Sequence, residues 1–526
     1  MKLDILCCFV EPARKNIETV IVSSILPFPI HYSYGNKLRI RLSTLVAMRS
    51  ATRTTCTISI LTAVFRLSLI FSIQCVCGTK AFSIQSKSWS FRGHHIAYEE
   101  AVRVKSTSTS TTSSTRTDLI SSEHQSSPIL LLNGFGVGSF HQHRLFPQLI
   151  QIDSDSEAEA EAGSIGTTRK VYGIDYLGQG NSWPVDCNDG NSENEKGLIY
   201  SIDTWADQII EFIEQIILPN HGINQGNNHN HEENANANAN ANANANANTN
   251  ANTNANANVK VHLIGNSVGG YLSVLLAAKR PDLIGSICLL NATPVWGLNL
   301  KGWSGHLPAP FIPRKIGRYL FDRIRDINTI EKYLEAAYAN RAAFDDTLMK
   351  QIKACTETKG GHAAFSSILF SPPATFPSLD EPTDFYKNLA LLECDVLLLF
   401  GKQDPWCTPA FAKRMFQSLG ERTKKNRAGV TNDIDIDIDI DSDAVPVHRY
   451  IELDNVGHCP NHEAPITVGL IAGKWVNSLD RRNGQLVLLE EEELVVEESW
   501  GAVTAKEIDE RDVSLSTMER LITTFV

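Results

Sequence analysis

The segment Gly265-Asn266-Ser267-Val268-Gly269, with Gly270 behind it, constrains this chain more than any other. It stands between an apolar run, residues 259–264, and an apolar helical pattern, residues 268–279, that Pro281 stops. Strand, G-x-S-x-G and helix in that order spell a nucleophile elbow. A turn that sharp strains the backbone of its serine, so the flanking residues must be small. The departing helix aims unsatisfied amides and the positive end of its dipole at the same point. Serine rather than aspartate at the elbow points to acyl transfer, with ester hydrolysis favoured.

Apolar runs and helical patterns alternate on either side. Strands are expected at residues 89–91, 95–98, 129–132, 170–174, 284–290, 396–400 and 450–453, and helices at 200–217 and 465–479. Strands alternating with helices predict an α/β fold with a mostly parallel, doubly covered sheet. Residues 294–388 break the rhythm with helical patterns and no clear strand. Inserted before the strand at 396–400, they would lie over the carboxyl ends of the strands, where open α/β sheets bind ligands. We read them as a helical lid, with Phe311, Ile312, Leu320, Phe321 and Phe370 as apolar residues able to receive a long chain.

A serine at an elbow needs a histidine base, and the base needs an orienting carboxylate, in the chain order Ser, acid, His. Residues 284–290 run into Asn291-Ala292-Thr293, which offers no carboxylate. Residues 396–400 run into Gly401-Lys402-Gln403-Asp404, so Asp404 is the candidate acid. His458 follows the last expected strand and is the candidate base; His462 reads as local structure. An oxyanion hole needs two backbone donors. These are assigned to Val268 and to Phe135, whose neighbours Gly134 and Gly136 let the backbone approach a substrate. His141 and His143 read as exposed polar residues opening a helix.

Charge excludes other classes. The net −11 is distributed unevenly: residues 1–80 hold ten basic and three acidic side chains, and eleven acids against three bases follow from Glu490 on. The body is close to neutral, without the basic face of a nucleic-acid binder. Eleven cysteines, five of them before residue 81, include no C-x-x-C pair, so neither a zinc site nor a disulfide framework is expected. No cofactor or metal is expected. Residues 105–127, 152–169, 222–258 and 421–446 are Ser/Thr, acidic, Asn-Ala and Asp-Ile runs. They read as solvated inserts that cannot bury enough apolar surface to offset their ordering.

Residues 1–81 read as a presequence. A basic and then apolar stretch fits a signal peptide. Met48 precedes it, which leaves residues 1–47 as an upstream extension or true sequence. Lys80-Ala81-Phe82-Ser83 resembles the cleavage site of plastid presequences in algae with secondary plastids; the alternative is an ordinary secretory signal. Residues 82–127 then hold a transit-like segment, the opening strands and a Ser/Thr linker. The main domain is expected at 128–480 and an acidic tail at 481–526.

These residues together carry a resemblance. The chain resembles the α/β-hydrolases, and among them is similar to the pheophytinases, plastid enzymes that remove phytol from pheophytin. The matching pieces include Asn133-Gly134-Phe135-Gly136-Val137-Gly138-Ser139-Phe140-His141, Ile174-Asp175-Tyr176-Leu177-Gly178-Gln179-Gly180, Leu290-Asn291-Ala292-Thr293-Pro294-Val295-Trp296-Gly297 and Gly457-His458-Cys459-Pro460. Asn133 stands where that family usually has Pro, and Val268 where it usually has Leu. The resemblance implies a small-molecule ester substrate, a phytylated chlorin, plastid localisation and peripheral contact with plastid membranes. A general serine esterase, lipase or acyltransferase is the alternative, followed by a non-catalytic relative that only binds.

Overall fold

The computed structural model describes residues 82–103, 126–151, 169–184, 198–221, 259–358, 360–377, 383–430, 446–481, 487–489 and 491–524. The presequence, the Asn-Ala run and the Asp-Ile repeat lie outside the described residues.

Ten strands form one sheet: β1 (Phe82–Phe91), β2 (His94–Arg103), β3 (Ile129–Leu132), β4 (Val171–Ile174), β5 (Val261–Asn266), β6 (Ile284–Leu290), β7 (Asp395–Gly401), β8 (His448–Asp454), β9 (Glu493–Glu498) and β10 (Gly501–Glu507). Their order is β1-β2-β4-β3-β5-β6-β7-β8-β10-β9. The six strands from β4 to β8 are parallel, and antiparallel pairs close both edges.

The apolar runs alternate across the sheet because successive strand side chains point to opposite faces. Leu130 and Leu132 pack with Trp205 and Ile209 of helix Ile202–Phe212 and with Leu272 and Leu275 of helix Val268–Lys279. Ile129 and Leu131 face the other way, onto Phe146 and Leu149 and onto Val468, Ile471 and Trp475 of helix Pro465–Arg481. All four residues of β3 are fully buried, so the strand shows no polar alternation.

Between β6 and β7 run the lid helices Phe311–Ile324, Ile327–Ala337, Asp346–Ala354 and Gly361–Phe370. Asp326 and Asp345 cap the second and third, accepting from Asn328 and Thr329 and from Leu348. Ile330, Leu334, Phe344, Leu348 and Met349 make a small core of the lid that reaches Cys459.

Several features differ from the sequence expectation. His141 is 2% exposed and not a surface residue. Phe311 and Ile312 are 65% and 68% exposed and do not face the interior of the lid. Arg169, placed at the end of an insert, is buried and binds Asp480 at 2.9 Å. Helix Pro409–Val430 continues through residues 421–430. The segment from 481 on carries β9 and β10, with Thr504–Glu507 of β10 paired to Ile451–Asp454 of β8. Among the described residues, no helix is long and apolar enough to cross a membrane.

Candidate active site

Ser267 sits between β5 and its helix with φ 54 and ψ −116, a conformation L-residues rarely adopt. The glycines around it are required by contact. A Cβ on Gly265 would lie 2.3 Å from the Gly269 carbonyl oxygen, and one on Gly269 would lie 2.4 Å from that of Leu132. Neither backbone can yield. Gly269→Ala is therefore expected to destabilise the fold by about 1–3 kcal/mol, measured by urea unfolding. An unchanged midpoint would show that the turn relaxes freely.

Asp404 and His458 meet beside the elbow. His458 Nδ1 and Asp404 Oδ2 are 2.7 Å apart, and the Asp404 side chain is fully buried. The other bonds to the carboxylate are supplied locally. Trp406 and Cys407 donate backbone N–H to Oδ1 at 2.7 and 3.0 Å, and Asn291 Nδ2 donates to Oδ2 at 2.7 Å. Asn291 is itself fixed, because its Oδ1 accepts from the Gly401 amide at 2.8 Å. The Trp406 ring meets the imidazole edge-on at 4.9 Å. Donor atoms of Asp404, Cys407 and His458 lie within 4.8 Å of one another, close enough to approach a metal ion. Both carboxylate oxygens are already engaged by two partners each, which suits an orienter of histidine better than a ligand.

The loops are clamped to one another by residues outside the expected set. Asn266 Nδ2 donates to the His458 carbonyl at 2.8 Å and to that of Leu290 at 3.1 Å, which ties the serine turn to the histidine loop. The His458 amide donates to Ala337 O at 2.7 Å, at the end of the second lid helix. Glu463, fully buried, accepts from Gly457 N at 2.7 Å and Asn340 N at 3.0 Å, so one carboxylate bridges histidine loop and lid. Burial pushes Glu463 up to about 7. Asn266→Ala would take the side-chain donor from the buried His458 carbonyl, at about 1–3 kcal/mol, while the Leu290 carbonyl keeps the Ser267 amide at 3.0 Å. We expect a lower melting temperature and roughly tenfold slower turnover of any ester substrate, since the histidine backbone loses its anchor. Turnover equal to the parent would remove Asn266 from the positioning of His458.

The loop after β3 lies against the elbow. A Cβ on Gly134 would sit 3.6 Å from Ser267 Cβ. Gly136, at φ +80, donates its amide to Gln179 Oε1 at 2.5 Å. Asp175 accepts from Ser139 N at 2.6 Å and Asn181 N at 2.8 Å, and burial raises its carboxyl to about 6. Gly138 and Gly180 leave room for that carboxylate. The loop thus brings Gly134, the residue before Phe135, against Ser267, and Val268 is the first residue of the elbow helix. The Phe135 ring packs on Trp296 and Phe365 at centroid distances of 4.8 and 5.6 Å. Asn133 is buried, donates to Ile174 O at 2.9 Å, and offers its own carbonyl to Tyr176 at 3.0 Å.

His141, Tyr338 and His462 form a buried row, with the tyrosine hydroxyl 3.0 Å from a ring nitrogen of each histidine. Burial beside Arg144 and His458 pushes His141 down to about 3, and burial lowers His462 further. Both rings are neutral at physiological pH. They join the β3 loop, the lid and the histidine loop.

Of the expected residues, His458 bonds Asp404, Asn266 ties the turn of Ser267 and Val268 to the histidine loop, and Gly134, next to Phe135, lies against Ser267. Sequence reading did not find Asn266, Asn291, Asp175, Gln179 or Glu463. All but Glu463 did stand in quoted motifs, and a polar side chain directly after an apolar strand was the available signal. The arrangement offers a strained hydroxyl, a buried carboxylate–imidazole pair and a helix N-terminus in one place.

The model of the alpha/beta hydrolase family matches residues 129–468. A chloroplastic pheophytinase of Arabidopsis thaliana is 26% identical over 403 residues, which cover 71% of this chain and 65% of the relative. The match therefore spans just under two thirds of that protein. A meta-cleavage product hydrolase from Pseudomonas fluorescens IP01 is similar at 14% identity and a TM-score of 0.42, over 74% of this chain and 97% of that one. A thermophilic esterase from Thermogutta terrifontis is similar at 13% identity and a TM-score of 0.39, over 75% of this chain and 99% of that one. The family model covers well over half of the chain, from β3 to the helix behind the histidine loop, and the chain belongs to the alpha/beta hydrolase family.

Proposed function

We propose that this protein is a serine hydrolase of carboxylic esters, and that its substrate is the phytyl ester of pheophytin, split into pheophorbide and phytol. The observation that carries the reaction class is the His458–Asp404 bond of 2.7 Å beside a serine held at φ 54. In this reading His458 Nε2 takes the Ser267 proton as Oγ attacks the ester carbonyl. The Phe135 and Val268 amides receive the oxyanion. His458 then protonates the departing alcohol. Water, deprotonated by the same imidazole, releases the acid and restores Ser267.

The substrate is supported by two further facts. The relative matched over 403 residues is a pheophytinase. The β3 loop, Trp296 and the lid also hold a continuous row of packed aromatic rings, from Trp205–Trp296 through Phe135–Phe365 to Phe321–Phe365, an apolar setting for the ester beside Ser267. Plastid localisation belongs to the same reading.

The test is to incubate the purified protein separately with pheophytin, chlorophyll and a short nitrophenyl ester. Phytol release from pheophytin is expected. Hydrolysis of the short ester alone would replace the pigment reading with a general esterase. No hydrolysis of any ester would end the catalytic reading. A fluorescent fusion of residues 48–130 is expected in plastids, and retention in the secretory pathway would refute import.

A further inference from the structure

Four of the eleven large apolar side chains exposed among the described residues belong to the first lid helix, Phe311–Ile324. They are Phe311 at 65%, Ile312 at 68%, Ile316 at 44% and Tyr319 at 58% exposure. At about 100° per residue they fall within one arc of roughly 140°. The opposite side is packed. A Cβ on Gly317 would come within 2.0 Å of Ser366 Oγ, so this helix lies hard against helix Gly361–Phe370, and Phe321 is buried there. The exposed arc is thus a face left over after the helix has docked.

Its charge is the second observation. The same fourteen residues hold Arg314, Lys315, Arg318 and Arg323 against Asp322 alone, in a chain whose net charge is −11. Lys315 sits 5.7 Å over the Phe311 ring and Arg323 4.9 Å over Tyr319, so these two cations lie along the apolar arc. Pro308 and Pro310, both exposed, lengthen the apolar run at its start. The C-terminal helix Thr517–Thr524 also exposes Met518, Leu521 and Ile522, but carries one acid, Glu519, and one base, Arg520, and so has no excess of positive charge.

We propose that the first lid helix is an interfacial anchor that lies in the headgroup region of an anionic lipid bilayer, with Phe311, Ile312, Ile316 and Tyr319 inserted and the basic side chains on the headgroups. Apolar and cationic side chains alternating on one exposed helical face is the pattern such a surface binds. A protein partner would be met by the apolar arc without needing the cations beside it. The anchor is placed to matter, because Phe321 touches Phe365 at 5.5 Å and Phe365 touches Phe135 at 5.6 Å. Packed aromatic rings thus connect this helix to the loop beside Ser267. The proposal goes beyond the ester reaction and does not depend on it.

The experiment is sedimentation of the full chain with vesicles of pure phosphatidylcholine and with vesicles containing about one third phosphatidylglycerol. Binding to the anionic vesicles is expected, weakening as salt rises. Phe311→Ser with Ile312→Ser, and separately Lys315→Glu with Arg323→Glu, should each weaken it on the order of tenfold, with circular dichroism and melting temperature unchanged. Binding that neither pair of substitutions alters would overturn the proposal, as would no binding to either vesicle. So would a dimer in ultracentrifugation that the Phe311→Ser, Ile312→Ser variant dissolves while vesicle binding is absent. Sedimentation needs no turnover, so failure of the anchor and failure of the ester reaction are separate results.

Discussion

Ser267→Ala is expected to cut ester hydrolysis by roughly 10⁶-fold in kcat, the scale seen when a nucleophile is removed from a coupled triad. The substitution removes one oxygen. Alanine has the same Cβ as serine, so the strain at φ 54 is unchanged, and the bonds from Gly270 and Thr293 amides to the residue 267 carbonyl remain. The variant should therefore fold, melt near the parent temperature and still bind a substrate. Residual catalysis of roughly 10³–10⁴ over water is expected from the oxyanion donors. The measurement is single-turnover hydrolysis of a short nitrophenyl ester, with melting as the control. A variant that kept more than about one hundredth of the parent rate would mean that another group attacks the ester, since no base can replace a missing nucleophile.

Ser267 was legible in the sequence because the elbow is a local structure. Its strand, its glycines and its helix lie within twenty residues, and each glycine answers a contact made by near neighbours or by the adjoining strand. The parallel strands were legible for a similar reason. Burial on both faces demands continuous apolar runs, and Ile129–Leu132 and Ile284–Leu290 have the bounds their composition suggests. The hairpin at the far edge was not legible. In Glu493–Glu498 only Val496 and Glu498 are buried, so the strand reads as acidic tail. Its Glu498 is held by Thr467, whose amide and hydroxyl both donate at 2.8 Å from a helix 31 residues away. The clamps share this property. Asn291 reaches Asp404 across 113 positions, Asn266 reaches His458 across 192, and Glu463 reaches Asn340 across 123. A polar residue whose partner is that distant carries no spacing signal. The absence of a carboxylate after β6 points to Asp404, but gives no reason to see Asn291 as its partner.

That partner sharpens the second large expectation, for Asp404→Asn. An asparagine there has one oxygen and one amide group to place. Oδ1 accepts two backbone amides, from Trp406 and Cys407, and those donors cannot turn away, so the asparagine oxygen must take that side. Its amide hydrogens then face Asn291 Nδ2 and His458 Nδ1. Asn291 cannot flip to offer an oxygen, because its own Oδ1 is held by the Gly401 amide. His458 can respond, by moving its proton from Nδ1 to Nε2 and accepting at Nδ1. That tautomer puts a hydrogen where the base lone pair must be. The expected result is a fall in kcat of about 10⁴ with the heavy-atom arrangement retained. Nitrogen NMR of the labelled imidazole should show the proton on Nε2 in the variant and on Nδ1 in the parent. A loss below about tenfold, with the parent tautomer unchanged, would mean that Asp404 does not orient the base, and that the 2.7 Å contact serves the turn before Pro405 alone.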